Sequence, residues 1–304
     1  MRQTYVLRAL KAGARLIADC RAVRLDAQGD RVTRVRARGG GSAGRLEIVA
    51  DTVFVCGGAI QTPVLLQASG LRKNIGRTLH LHPMLKVAAQ FDVPLDSHRA
   101  ALPVYQIKGL APGLTLGGAV FTPGFLALTL SDNWLENRAA MEDWRRMALY
   151  YASWCGRGGG AVRRVPGSGE AMVRYRFSEE DRRRATDGLR RLCEVLFAAG
   201  ARRVFPGIRS RAVFSGFDDV REFLREPLPL ADISLSVLHV FGSCPMGEDR
   251  GRCAVNSFGR VHGFSNLWIN DASILPDAPG VNPQGTIMAV ALRNARAFAE
   301  DRGP

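Results

Sequence analysis

Three short segments near the C-terminus constrain this 304-residue chain more than any other part of it. The first runs Leu238-His239-Val240-Phe241-Gly242-Ser243-Cys244-Pro245-Met246-Gly247. It sets a histidine after the apolar alternation of residues 233–238, the pattern of a strand that buries one face, and its glycines let the chain turn tightly and approach a planar ring. The second, Asn270-Asp271-Ala272-Ser273, follows the apolar strand Leu267-Trp268-Ile269. The third, Gly280-Val281-Asn282-Pro283-Gln284-Gly285-Thr286-Ile287-Met288, opens a run of helix formers that meets no breaker before Ala299. Asn is a favoured N-cap and Pro a favoured first helical residue, so a helix is predicted to begin at Asn282. Its N-terminus would offer unpaired N–H groups and a positive dipole potential to an anion.

In this order the three segments resemble the C-terminal signature of the glucose-methanol-choline (GMC) family of flavin oxidoreductases. The resemblance implies oxidation of a small-molecule alcohol with FAD, in which His239 accepts the hydroxyl proton, Asn282 holds the same oxygen, and the hydride passes to the flavin. It also implies an α/β fold: an FAD/NAD(P)-binding-like domain with an inserted α+β substrate domain built on an antiparallel sheet. On the same basis Cys20 lays its backbone against the adenine, Gly57 and Gly58 form a strand-end turn close to the cofactor, and Asp271 and Ala272 lie beside the ribityl chain and phosphate. Pro283 and Gln284, at the start of the last helix, face the electron-rich edge of the reduced flavin.

The order of elements supports a chain that enters such a fold partway through. No strand followed by G-x-G-x-x-G and a helix occurs; the clusters at Gly39-Gly40-Gly41 and Gly156-Arg157-Gly158-Gly159-Gly160 lack that setting and read as loops. A short helix is expected from Arg2 to Gly13, strand pieces at residues 15–18 and 22–25, a turn at Gln28-Gly29-Asp30, and an alternating strand over 31–38. Residues 52–56 form a continuous apolar strand running into Gly57-Gly58-Ala59, and Thr62-Pro63 is expected to cap a helix ending at Gly70. We divide the chain into residues 1–82, the second half of an FAD domain; 83–230, the substrate domain; and 231–304, which completes the FAD domain and active site. This is a truncated arrangement, a fragment without the dinucleotide motif. In the middle region, Ser178 with Asp181 predicts a capped helix ending at Gly200, its arginines outward and Leu189, Leu192, Val195, Leu196 and Phe197 inward. Phe121, Phe125, Leu126 and Trp134 suit a nonpolar alcohol and equally a core.

A formal charge of +14 raises the question of a nucleic-acid partner, but the arginines are scattered and carry no nucleic-acid-binding signature. The six cysteines show no metal or disulfide spacing, which suits reduced thiols and a cytoplasmic setting, and His80 and His82 lack a third ligand, so no metal is expected. The electron acceptor, whether oxygen, quinone or another, leaves no mark in the sequence. Two other function classes stand beside the enzyme: an inactive remnant that binds no flavin, and, further off, a basic nucleic-acid-binding module whose affinity would fall steeply with salt.

Overall fold

The computed structural model describes residues 2–39, 44–100, 105–110 and 113–301. A π-helical turn, Arg2–Val6, leads into α1, Leu7–Lys11, and Gly13 stops it at φ +92°. Residues 15–18 form no strand, contrary to expectation; Asp19 adopts φ +50° and strand β1, Cys20–Gln28, begins only after it. β1 turns through Gly29 into β2, Arg31–Gly39, which pairs with β3, Arg45–Ile48, giving a three-stranded antiparallel sheet. Of the glycine cluster at 39–41, Gly40 and Gly41 lie outside the described residues.

β4, Val53–Val55, pairs in parallel with a strand more than two hundred residues later, β13, Leu267–Ile269. Between them in sequence, α2, Gly58–Ala68, starts four residues before the predicted cap, so Pro63 lies inside the helix. Proline gives no N–H to the Ala59 carbonyl one turn earlier. The Ser243 hydroxyl donates to that carbonyl instead, at 2.7 Å.

The larger sheet is built around β5, His80–Gln90. β8, Met147–Trp154, lies along one side of β5 and continues through β7, Leu114–Gly118, to β6, Gln106–Ile107. On the other side β11, Arg203–Phe205, and β12, Leu235–Phe241, pair with opposite ends of β5. β5 runs through position 82 without interruption, and β12, from beyond residue 230, pairs with it, so residues from either side of each boundary drawn from the sequence meet in one sheet. Alternate residues of β5 serve two cores. Leu85, Val87 and Ala89 pack with the helix α5, Glu179–Ala198, and with α6, Phe217–Phe223; Ala88 packs on the other side against α3, Pro123–Leu130. A one-turn helix α4, Trp134–Asn137, follows α3, and the hairpin β9, Gly159–Arg164, with β10, Ala171–Arg176, packs on α2. The last helix, α7, spans Gln284–Glu300.

The α5 capping box forms as the sequence predicts: Ser178 Oγ accepts from the Asp181 N–H and Asp181 accepts from the Ser178 N–H. Leu189, Leu192 and Leu196 face the sheet, but Val195 turns outward and Cys193 takes an inward position. Asp181 does more than cap. Fully buried, it also accepts from the Trp154 indole at 3.1 Å and from the N–H groups of Arg157 and Gly158 at 2.8 Å each, tying helix, sheet and the glycine loop together. Removing the carboxylate strands several buried donors, each worth about 1–3 kcal/mol when unmet. Asp181→Ala is therefore expected to lower the urea midpoint by the equivalent of at least ~3 kcal/mol, with Asp181→Asn in between.

Candidate active site

The end of the parallel pair where both strands stop is the fixed point of the site, because parallel neighbours bring their C-terminal turns to the same edge. After β4 come Gly57 and Gly58; after β13 come Asn270 and Asp271. The Asp271 carboxylate joins them: it accepts from the Gly58 N–H at 2.8 Å and the Thr62 hydroxyl at 2.5 Å, and from the Ser273 N–H at 2.7 Å. Thr62 is thus a cross-link rather than the helix cap expected of it, and its hydroxyl accepts the Gly57 N–H at 2.9 Å. Gly58 adopts φ +77°, a conformation that favours glycine, with open space where a Cβ would point. Ala272, half-buried, accepts from the Gly242 N–H at 3.4 Å. The end of β12, the strand that carries His239, is thereby fastened to the end of the parallel pair.

On the outer side of β4 lies an open cavity of about 1280 Å³. Cys20, Phe54, Cys56, Gly57 and Gln61 are among its lining residues, so Cys20 and Gly57 share one concave surface. Among the described residues β13 is the only strand paired with β4, and Val53, Phe54 and Val55 of β4 line this cavity.

His239 lies within β12 rather than at its end, next to an irregularity. Val237 pairs with Pro83 but His239 with His82, so Leu238 is an extra residue, 71% exposed, and the register shifts at it. The shift brings the two imidazoles together: the Nδ1 atoms of His239 and His82 are 3.1 Å apart and the rings stack with centroids 5.2 Å apart. Burial holds both rings neutral, lowering the pKa of His239 and, with the neighbouring imidazole adding to the effect, that of His82 to about 4.

Asn282 departs from the capping role assigned to it. α7 starts at Gln284 with Pro283 at the cap position and no side-chain cap, and Asn282 Oδ1 accepts instead from Gln106 Nε2 at 2.8 Å. Pro283 is buried, and Gln284 and Gly285 are exposed on the first turn. Gln106 also contacts the Tyr151 hydroxyl at 2.5 Å, and burial raises the pKa of that phenol. The sheet register explains how they meet. Lys86, Tyr151, Gly117 and Gln106 occupy one row across four strands. A Cβ on Gly117 would lie 2.8 Å from the Tyr151 ring, so glycine is what lets the phenol cross β7 to Gln106. His82 and Lys86 lie on the same face of β5, which puts His239 and the Gln106–Asn282 pair on one face of the large sheet. No described hydrogen bond joins His239 to Asn282 directly.

Phe121 and Leu126 are core residues. Phe125 is half open, its ring 5.7 Å from the Lys86 ammonium on the site face, and Trp134 is exposed. Sequence reasoning missed Gln106, Tyr151 and the part played by His82; the hydrophilic Gln106 between Tyr105 and Ile107 carried no pattern that would have marked it. No cluster of three metal-ligating side chains occurs among the described residues, and no described helix is long and apolar enough to cross a membrane.

Comparison with known proteins adds the family. Two models, both described as GMC oxidoreductase, match residues 1–84 and 166–291. A GMC-type oxidoreductase of Sinorhizobium fredii, of uncharacterised activity, is 41% identical over 98% of this chain and 59% of its own length. A long-chain-alcohol oxidase of Arabidopsis thaliana is 28% identical over 95% of this chain and 43% of its own. Among solved structures, pyridoxine 4-oxidase from Mesorbium loti superposes with a TM-score of 0.66 at 20% identity, covering 92% of this chain and 57% of that one. This likeness supports the fold. The chain therefore spans between two fifths and two thirds of the length of these proteins.

The neutral histidine pair sets a pH dependence. With folded-state pKa values below the usual 6.5, the unfolded chain takes up protons that the folded one refuses, so the pair's contribution is complete above pH 6.5 and is lost as pH falls toward about 4. Urea midpoints of the wild type and of His82→Asn, measured from pH 7.5 to 4, should converge on acidification; a constant gap would contradict it.

Proposed function

Since this chain belongs to the GMC oxidoreductase family, we propose that the protein it forms part of oxidises an alcohol, with FAD as cofactor, His239 as the base and Asn282 as the group that holds the substrate oxygen. The observation that carries this reading is the fastening of the His239 strand, through Gly242 and Ala272, to the turn where β4 and β13 end. Ligands of open α/β sheets bind at such strand ends.

The residues present suit a flavin. Gly58 and Gly285 leave open space, Gln284 and Gly285 on the first turn of α7 are exposed just after Asn282 in sequence, and Asp271 is already engaged by three donors and so stays fixed. Gly57, Gly58, Asp271, Ala272, Pro283 and Gln284 would hold the isoalloxazine side and ribityl chain. Cys20 would lie against the adenine in the cavity beside β4. The free edge of β4 suits a further parallel strand, and we propose that the dinucleotide-binding turn reaches the site on that strand, from polypeptide outside this chain.

When bound, FAD supplies the hydride acceptor. His239 takes the hydroxyl proton at Nε2 as the C–H hydride leaves the carbinol carbon, so the alcohol becomes a carbonyl and both hydrogens are accounted for. Asn282, with Oδ1 given to Gln106, has its NH₂ left to donate to the substrate oxygen. Lys86 lies on the same face of the sheet, with its ammonium over the Phe125 ring, so an apolar group and a cation stand on the side that carries His239 and Gln106. A small-molecule alcohol is the substrate class.

In FAD-loaded enzyme, His239→Ala is expected to slow anaerobic bleaching of the flavin by alcohol roughly 10²-fold or more. A parent rate in that variant would remove His239 from the base role. Asn282→Ala should slow bleaching while leaving the melting temperature close to the parent's, because Asn282 caps no helix. A screen of aliphatic, aromatic, sterol and polyol alcohols identifies the substrate, and activity confined to polyols would exclude the nonpolar class.

A further inference from the structure

His82 is 2% exposed, and its Nε2 is a buried polar atom without a hydrogen-bond partner in the structure. Its other nitrogen, Nδ1, lies 3.1 Å from Nδ1 of His239. Two imidazole nitrogens at that separation hold a single proton between them, one ring donating an N–H and the other accepting at a bare nitrogen. The choice of donor decides the chemistry. If His82 donates, neutral His239 must carry its own proton on Nε2, and that nitrogen has no lone pair for a substrate proton. If His239 donates, its Nε2 is bare and the proton of neutral His82 sits on that ring's buried Nε2.

We propose that His82 is a positioning residue: it accepts the Nδ1–H of His239 and so keeps Nε2 of His239 free to receive the substrate proton. The inference rests on the reading of His239 as base and adds to it the group that fixes its tautomer. Once His239 has taken the proton, it is an imidazolium whose Nδ1–H still points at His82, so the same contact serves before and after transfer. The partner is a neutral ring rather than a carboxylate. It is also the more deeply buried of the two, so a second proton is disfavoured on His82 and stays on His239. The strand geometry enforces the contact. β5 and β12 are hydrogen-bonded neighbours, and the extra residue Leu238 brings His239, rather than its neighbour, opposite His82.

The test is the protonation pattern of the ring nitrogens in this chain labelled with ¹⁵N-histidine. Long-range ¹H–¹⁵N spectra at pH 7.5 distinguish the two tautomers for each of five histidines, and loss of one set of signals in His239→Ala assigns His239. The expected pattern is Nδ1–H with bare Nε2. His82→Asn offers a carbonyl oxygen to the same N–H and should preserve the pattern, whereas His82→Phe offers no acceptor and should release His239 toward the Nε2–H form. In FAD-loaded enzyme His82→Phe should lower kcat by roughly tenfold or more with KM little changed, as loss of an orienting partner does, and His82→Asn should restore most of it. Wild-type His239 protonated at Nε2, or an unchanged tautomer in His82→Phe, overturns the proposal. Should His82→Phe fail to fold, the wild-type and Asn spectra still decide it. A parent bleaching rate in His239→Ala would instead overturn the base assignment, while the tautomer spectra would stand, so the two failures are separable.

Discussion

The Asp271 carboxylate receives Gly58, Thr62 and Ser273, and the geometry of the site follows from that convergence. Two strands separated by most of the chain end at one point because a single side chain accepts donors from both turns. A charge-assisted bond of this kind contributes more than a neutral one, and a carboxylate with several donors has little freedom to move. The strand carrying His239 is attached at the same place through Ala272 and Ser243, so the proposed base is referenced to the strand ends of the parallel pair rather than to a loop.

A second constraint is the sheet register. Tyr151 reaches Gln106 only across a glycine, and Gln106 in turn donates to Asn282, so the proposed orienting amide is placed by a row of residues from four strands. His239 is placed by β5 on the same face. The antiparallel sheet therefore sets both groups on one face, and the parallel pair supplies the strand ends at which the proposed cofactor would lie.

Much of this architecture was legible in the residues. The apolar strand before Gly57, the hairpin at Gly29 and the Ser178–Asp181 cap are local signals that the structure follows. The segments around His239, Asp271 and Asn282 pointed to the family before any coordinates. Local rules failed where a distant partner outbid them. Asn282 and Thr62 both had the sequence of helix caps, yet one bonds a residue 176 positions away and the other a residue 209 positions away. No periodicity marks such pairs. The face presented by His239 was hidden for a different reason: one inserted residue, Leu238, changes which side of the sheet a strand residue occupies, and alternation alone cannot register it.

Pro63 and Ser243 show what that kind of remoteness leaves behind in a lineage. A prolyl nitrogen leaves the Ala59 carbonyl without its helical donor, and a serine from another part of the chain supplies one. Neither residue is explained without the other. A descendant that loses the proline closes the helix and makes the hydroxyl redundant; one that loses the hydroxyl first leaves a carbonyl unmet. The order of substitution is thus biased, and across related genes the two positions should change together, as a historical record of a bond that joins neither of them to the other.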